Sequence, residues 1–143
     1  MVLFFSQDCD FKLIGKMCYK RWLKELALLQ GAKLGALNVI FCSDAYLLKM
    51  NQDFLGHHYY TDVISFDSSD TLGVRAGVSG DIFMSIDTIV QNAAEYKVPF
   101  EEELRRVMAH GLLHLLGYKD GTAAEKAEMR QQEDQALRLY PVA

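Results

Sequence analysis

The chain has 143 residues, 50% of them hydrophobic and 24% charged, with a formal net charge of −4. That length suits one domain, residues 1–143, around one sizeable core, and the balance excludes a disordered chain. No apolar run approaches the ~18 residues of a membrane helix, and a net negative charge is not the usual footprint of a nucleic-acid binder. The cysteines Cys9, Cys18 and Cys42 are odd in number and lack C-x-x-C spacing, as expected of buried thiols in a reducing compartment. Met1–Phe5 has neither a basic n-region nor a cleavage site, so the expected location is the cytoplasm.

In chain order, Val2–Phe5 reads as a short edge strand. Ile14–Gln30 is helical, with Cys18, Trp22, Leu26 and Leu29 predicted on the apolar stripe. Lys12, Lys16, Lys20 and Lys24 recur every four residues with Arg21 beside them. They form a basic stripe that reads first as a solvated face and second as a surface for phosphates. Leu37–Cys42 reads as a buried strand, and Ser43 or Asp44 caps a helix carrying Tyr46, Leu47, Met50 and Phe54.

Thr61–Asp67 is β-branched and aromatic, hence a second strand; Ser68–Gly73 is turn-like. Gly80–Ile86 is a third strong strand and leads into a helix over Asp87–Tyr96. Pro99 sits at a plausible first helical position, followed by Glu101, Glu102 and Glu103 in a turn where the helix dipole favours acids. Leu104, Val107, Met108, Leu112 and Leu115 predict that this helix is largely buried. Thr122-Ala-Ala-Glu125 is a capping box opening a last helix to about Leu139. Strands and helices mix without regular alternation, so the fold class is α+β, a mixed sheet packed by helices.

The chemistry gathers at His110-Gly-Leu-Leu-His114-Leu-Leu-Gly117-Tyr-Lys-Asp120. Histidines four apart on a helix share a face, and Gly117 can end the helix in the left-handed region so that Asp120 folds back. Two histidines, one carboxylate and an open position make a catalytic metal pattern. A bare His-x-x-x-His is often only packed or solvated, but an otherwise apolar helix has little use for two unpartnered imidazoles. Gly111 stands where His-Glu-x-x-His proteases carry their general base, which demotes that reading, and it is small enough for another segment or a substrate to approach closely. The catalytic group is therefore left as a water on the metal.

Those residues resemble the signature of the YbeY endoribonucleases, H-G-x-x-H-x-x-G-Y-D-H. Thr61-Asp-Val-Ile-Ser-Phe66 is similar to the family's T-D-V-L-S-F strand and Gly80-Asp81-Ile82 to its G-D-I strand, in the same order. The resemblance implies a zincin-like, YbeY-type metal-dependent hydrolase fold with one Zn²⁺ per chain, and a single-strand-specific endoribonuclease. It implies maturation of the 3′ end of small-subunit ribosomal RNA, ribosome quality control, and partners such as a ribosomal protein and an Era-type GTPase. Carried onto this chain, the metal ligands are His110, His114 and Asp120.

Two departures from the family pattern follow. Asp120 replaces the third histidine and lowers the site's net charge from about +2 to about +1 with a divalent ion, which predicts a less acidic bound water and tolerance of harder cations such as Mn²⁺. Leu55 stands where the family carries an arginine in an N-x-x-Y-R-G-like segment; His57, His58 or Arg75 are the available substitutes for its charge. Asp62, Ser65 and Asp81 are candidates for substrate contacts or for supporting the ligands. Tyr59, Tyr60 and Tyr118 are candidates for stacking unpaired bases, with core or rim packing as the simpler role for each. The alternatives are a metal-dependent hydrolase of a peptide or small molecule, a non-haem iron oxygenase, and a ribosome-assembly factor whose metal is structural.

Overall fold

The computed structural model describes residues 1–55, 62–68 and 77–141. His57, His58, Tyr59, Tyr60, Thr61 and Arg75 lie outside that set, as do the side chain of Leu55 and most of the expected Ser68–Gly73 turn. The elements run β1 (Val2–Ser6), α1 (Lys16–Leu29), β2 (Leu34–Cys42), α2 (Asp44–Leu55), β3 (Val63–Asp67) and β4 (Val78–Ser85), then α3 (Ile86–Tyr96), α4 (Phe100–Leu115) and α5 (Ala123–Leu139). The sheet order is β1-β2-β4-β3. The β1–β2 and β2–β4 pairs are parallel and β3 is antiparallel to β4, so the mixed α/β sheet packed by helices is as expected.

The pleat sorts side chains to two faces. Leu37, Val39 and Phe41 of β2 and Ile82 and Met84 of β4 join the large core with α1, α3, α4 and α5. On the other face, Cys42, Leu47 and Ile64 form a smaller cluster under α2, with Phe66 and Phe83 packed against it. Burial pushes the Cys42 thiol up to about 12, with the nearby Asp8 adding to the effect, so this cysteine is an inert filler.

Most helix boundaries follow the local chemistry. Ser43 accepts from the Tyr46 amide to open α2, and Thr122 and Glu125 complete the capping box of α5. Pro99 sits one position earlier than expected, as the N-cap of α4 in extended conformation, while the acid-rich first turn of that helix is as predicted. The buried stripe of α1 is Tyr19, Trp22, Leu23, Leu26 and Ala27, and Leu29 is 64% exposed. Trp22 sets that rotation: its indole donates to the Ala136 carbonyl of α5 at 2.8 Å, which draws the neighbouring turns inward.

Candidate metal centre

Helix α4 crosses the sheet over Val63 and Ser65 of β3 and Ile82 of β4. A Cβ on Gly111 would stand 2.6 Å from Ile82 Cγ2 and 3.1 Å from Val63 Cγ2, so helix and sheet meet at this glycine. The segment that approaches Gly111 is therefore the sheet. Ser65 donates to the Gly111 carbonyl at 2.9 Å, which fixes the turn of helix carrying His110 and His114. Beyond Leu115 the backbone turns at Gly117, whose φ is 105°, and Asp120 comes back to the histidines.

The imidazoles are held from behind. His114 Nδ1 lies 3.0 Å from the Tyr118 carbonyl oxygen. A carbonyl only accepts, so Nδ1 donates, and Nε2 of the neutral ring keeps its lone pair. His110 Nδ1 lies 2.6 Å from Oε2 of Glu133, whose other oxygen accepts from Arg106 at 3.0 Å. Arg106 also pairs with Asp134 at 2.8 Å. Both rings thus turn bare Nε2 atoms toward each other and toward Asp120.

Those Nε2 atoms stand 3.0 Å apart, and Oδ2 of Asp120 is 3.2 Å from His110 and 3.4 Å from His114. Two lone pairs and a carboxylate oxygen at such range repel unless positive charge lies among them. Tetrahedral ligands at 2.0–2.1 Å from a metal sit about 3.3–3.4 Å from one another, close to this triangle. The donor set therefore fits one divalent cation. The Asp120 side chain is 44% exposed, so solvent reaches this edge of the cluster.

Further carboxylates crowd the inner side. A cleft of about 170 Å³ beside His110 is lined by Asp62, Glu103, Arg106 and Glu133 among others. Burial holds the Asp62 carboxyl above its usual range; His110 works against that shift, while Glu133 and Asp120 add to it. For His110, burial pulls downward, but the hydrogen bond and charge of Glu133, with Asp62 and Asp120, hold it above its usual value.

Of the residues expected at the site, His110, His114 and Asp120 come together, Asp62 lines the adjoining cleft and Ser65 touches the helix backbone. Asp81 does not join them. It is paired in register with Asn38, whose amide donates to it at 2.9 Å, and it shares its face of β4 with Phe83, opposite Ile82. Tyr118 contributes its carbonyl to His114, and its hydroxyl donates to Gln30 at 2.6 Å. Sequence reasoning missed Glu133 and Arg106. The available signal was a carboxylate on a buried stripe, since Met129, Glu133 and Ala136 share the inner face of α5.

A model of the family described as Endoribonuclease YbeY matches residues 7–140. The chain is 47% identical over 138 residues to the Endoribonuclease YbeY of Cytophaga hutchinsonii, covering 96% of this chain and 94% of that protein. This chain belongs to the YbeY family. The Endoribonuclease YbeY of Flavobacterium psychrophilum is 46% identical, over 96% of each chain. The solution structure of TM1509 from Thermotoga maritima superposes with a TM-score of 0.62 at 26% identity, covering 96% of this chain and 87% of that one. The YbeY fold thus extends across the sheet and helices described above, with His110 and His114 on the last turns of α4 and Asp120 on the turn after it.

Proposed function

We propose that this YbeY chain is a metal-dependent endoribonuclease that cuts single-stranded ribosomal RNA, at the 3′ end of the small-subunit rRNA, using a divalent cation held by His110, His114 and Asp120. One observation carries the metal: two imidazole lone pairs and a carboxylate oxygen converge within 3.4 Å, each ring oriented by its own acceptor. The relatives' name, Endoribonuclease YbeY, carries the substrate class. Zinc is the ion we assign, because two imidazoles with one carboxylate and an open position suit it; Mn²⁺ is the next choice, because Asp120 hardens the set.

The bound cation would supply a more acidic water and polarise a phosphoryl oxygen. The protein's own residues do the rest. Glu133, held by Arg106, keeps the proton of His110 on Nδ1, and the Tyr118 carbonyl does the same for His114, so both Nε2 atoms stay available. Asp62 faces the cleft beside His110, where an ionised carboxyl would repel an approaching phosphate. Its burial raises that carboxyl above the usual carboxylate range, with His110 opposing.

Among the described residues no helix is long and apolar enough to cross a membrane. The cytoplasm is the setting we assign, with a ribosomal protein and an Era-type GTPase as partners. The test combines metal content with cleavage of a single-stranded rRNA 3′-end fragment, with and without chelator, for wild type and His114→Ala. Cleavage should need about one metal per chain and should be lost in the variant. Cleavage that survives complete metal removal would overturn the proposal.

A further inference from the structure

The basic stripe noted in the sequence is not absorbed by the metal centre. Lys12, Lys16, Arg21 and Lys24 are exposed and Lys20 half-buried, on or just before a helix with a single acid, Glu25. None of the five forms an ion pair among the described residues, whose salt bridges all lie around Arg106, His110 and His114. Asp8, a nearby acid, is engaged by the amide and hydroxyl of Ser43. A chain of net charge −4 thus keeps a run of uncompensated cations along one helix.

Both ends of α1 are informative. Its N-terminal end borders an open cleft where Phe4, Phe5 and Phe11 meet Lys12 and Lys16, and Phe5 is 47% exposed on the edge strand. Its C-terminal end reaches the metal centre: Gln30 accepts from the Tyr118 hydroxyl at 2.6 Å, and the Tyr118 carbonyl orients His114. Fourteen residues of helix span about 21 Å between those ends.

Exposed cations close to a sheet edge that carries an exposed aromatic are the elements of a single-strand binding track, the cations meeting phosphates and the ring stacking a base. Resting on RNA as the substrate, we infer that α1 is a second RNA-contact surface. A strand seated at the metal centre continues along Lys24, Lys20 and Lys16 and rounds the sheet edge at β1, where a base stacks on Phe5, whose ring lies on the face away from α1. The track gives an acidic protein local purchase on a polyanion, and it acts on long strands only.

The test compares wild type with Lys16→Glu/Lys20→Glu/Lys24→Glu and with Phe5→Ala, on a long single strand and on a short oligoribonucleotide that fills only the metal centre. For the long strand the triple variant should raise KM about tenfold or more at unchanged kcat, and flatten the plot of log KM against log salt by about 2, near 0.7 per lost phosphate contact. Phe5→Ala should raise KM for the long strand about tenfold. Lysine-to-arginine replacements should restore wild-type values, and cleavage of the short oligonucleotide should be unchanged throughout. Equal KM and equal salt slope on the long strand would overturn the inference while leaving the metal centre intact. So would a defect confined to intact ribosomal subunits, which would mark α1 as a protein-docking face. Loss of short-oligonucleotide cleavage in wild type would instead overturn the RNase reading itself.

Discussion

Oε2 of Glu133 lies 2.6 Å from Nδ1 of His110, joining residues 23 apart in sequence and linking α5 to the His110–His114–Asp120 cluster. This contact fixes which nitrogen faces Asp120. Because Glu133 is itself held by Arg106, the ligand has support two residues deep.

Glu133→Ala should therefore lower metal affinity about 10–100-fold, the usual cost of losing a group that orients a ligand. Glu133→Gln keeps an acceptor without the charge and should fall between the two. Affinity is read by competition with a chromogenic chelator. Wild-type affinity in Glu133→Ala would show that His110 is oriented by packing alone.

Gly111 tests the contact of helix with sheet. Alanine is a better helix former by about 1 kcal/mol, so on an open helix the substitution would stabilise. Here its Cβ would fall 2.6 Å from Ile82 Cγ2, on a β-branched side chain within a strand that has no room to retreat. Overpacking of this kind costs about 1–3 kcal/mol, which outweighs the propensity gain. Gly111→Ala should lower the urea midpoint and weaken metal binding, since it pushes both histidines away from Asp120. A raised midpoint would mean that the interface is looser than the described contacts.

Glu103 offers a pH test away from the ligands. It is 4% exposed in the first turn of α4, where the helix dipole favours an acid by about 0.3–1 kcal/mol. Burial nevertheless raises its carboxyl above the ordinary glutamate range, with Asp62 adding to the effect, while Asn92, Arg106 and Arg130 oppose it. A raised folded-state value means that this group's contribution is fully present below the unfolded value and is lost as pH rises through the folded one. Glu103→Gln should then unfold at higher urea than wild type at pH 7, the gap closing as pH falls toward 4.5. A gap that is constant with pH, or reversed, would show that the arginines hold Glu103 ionised at no cost.

What could be read in advance follows sequence distance. His110, His114, Gly117 and Asp120 lie within eleven residues, so helical periodicity and one glycine turn were enough to gather them. Glu133 reaches His110 only once α5 packs on α4, and Arg106, one turn before His110 on α4, joins the site through that same carboxylate; no local rule gives that packing. Strand positions were legible, but their faces depend on register. The alternation that puts Ser65 toward α4 puts Asp81 beside Asn38 on the other side. The stripe of α1 shifted by part of a turn for a similar reason, since the buried hydrogen bond of Trp22 to α5 decides which neighbours face inward.

If the proposed centre holds its ion as assigned, Asp120 is the residue that should set the metal preference. It supplies one oxygen near both Nε2 atoms, where the family signature has an imidazole. A carboxylate adds negative charge and a hard donor, and imidazole is the softer ligand favoured by zinc over manganese. Asp120→His should raise the ratio of zinc to manganese affinity, while Asp120→Ala should lower affinity for both and leave His110 and His114 holding the ion weakly. The measurement is metal content after equilibration against an equimolar mixture, together with the folded fraction to exclude a structural loss. An unchanged metal ratio in Asp120→His, with unchanged affinity in Asp120→Ala, would mean that Asp120 lies outside the coordination set and that its approach to the two rings is electrostatic.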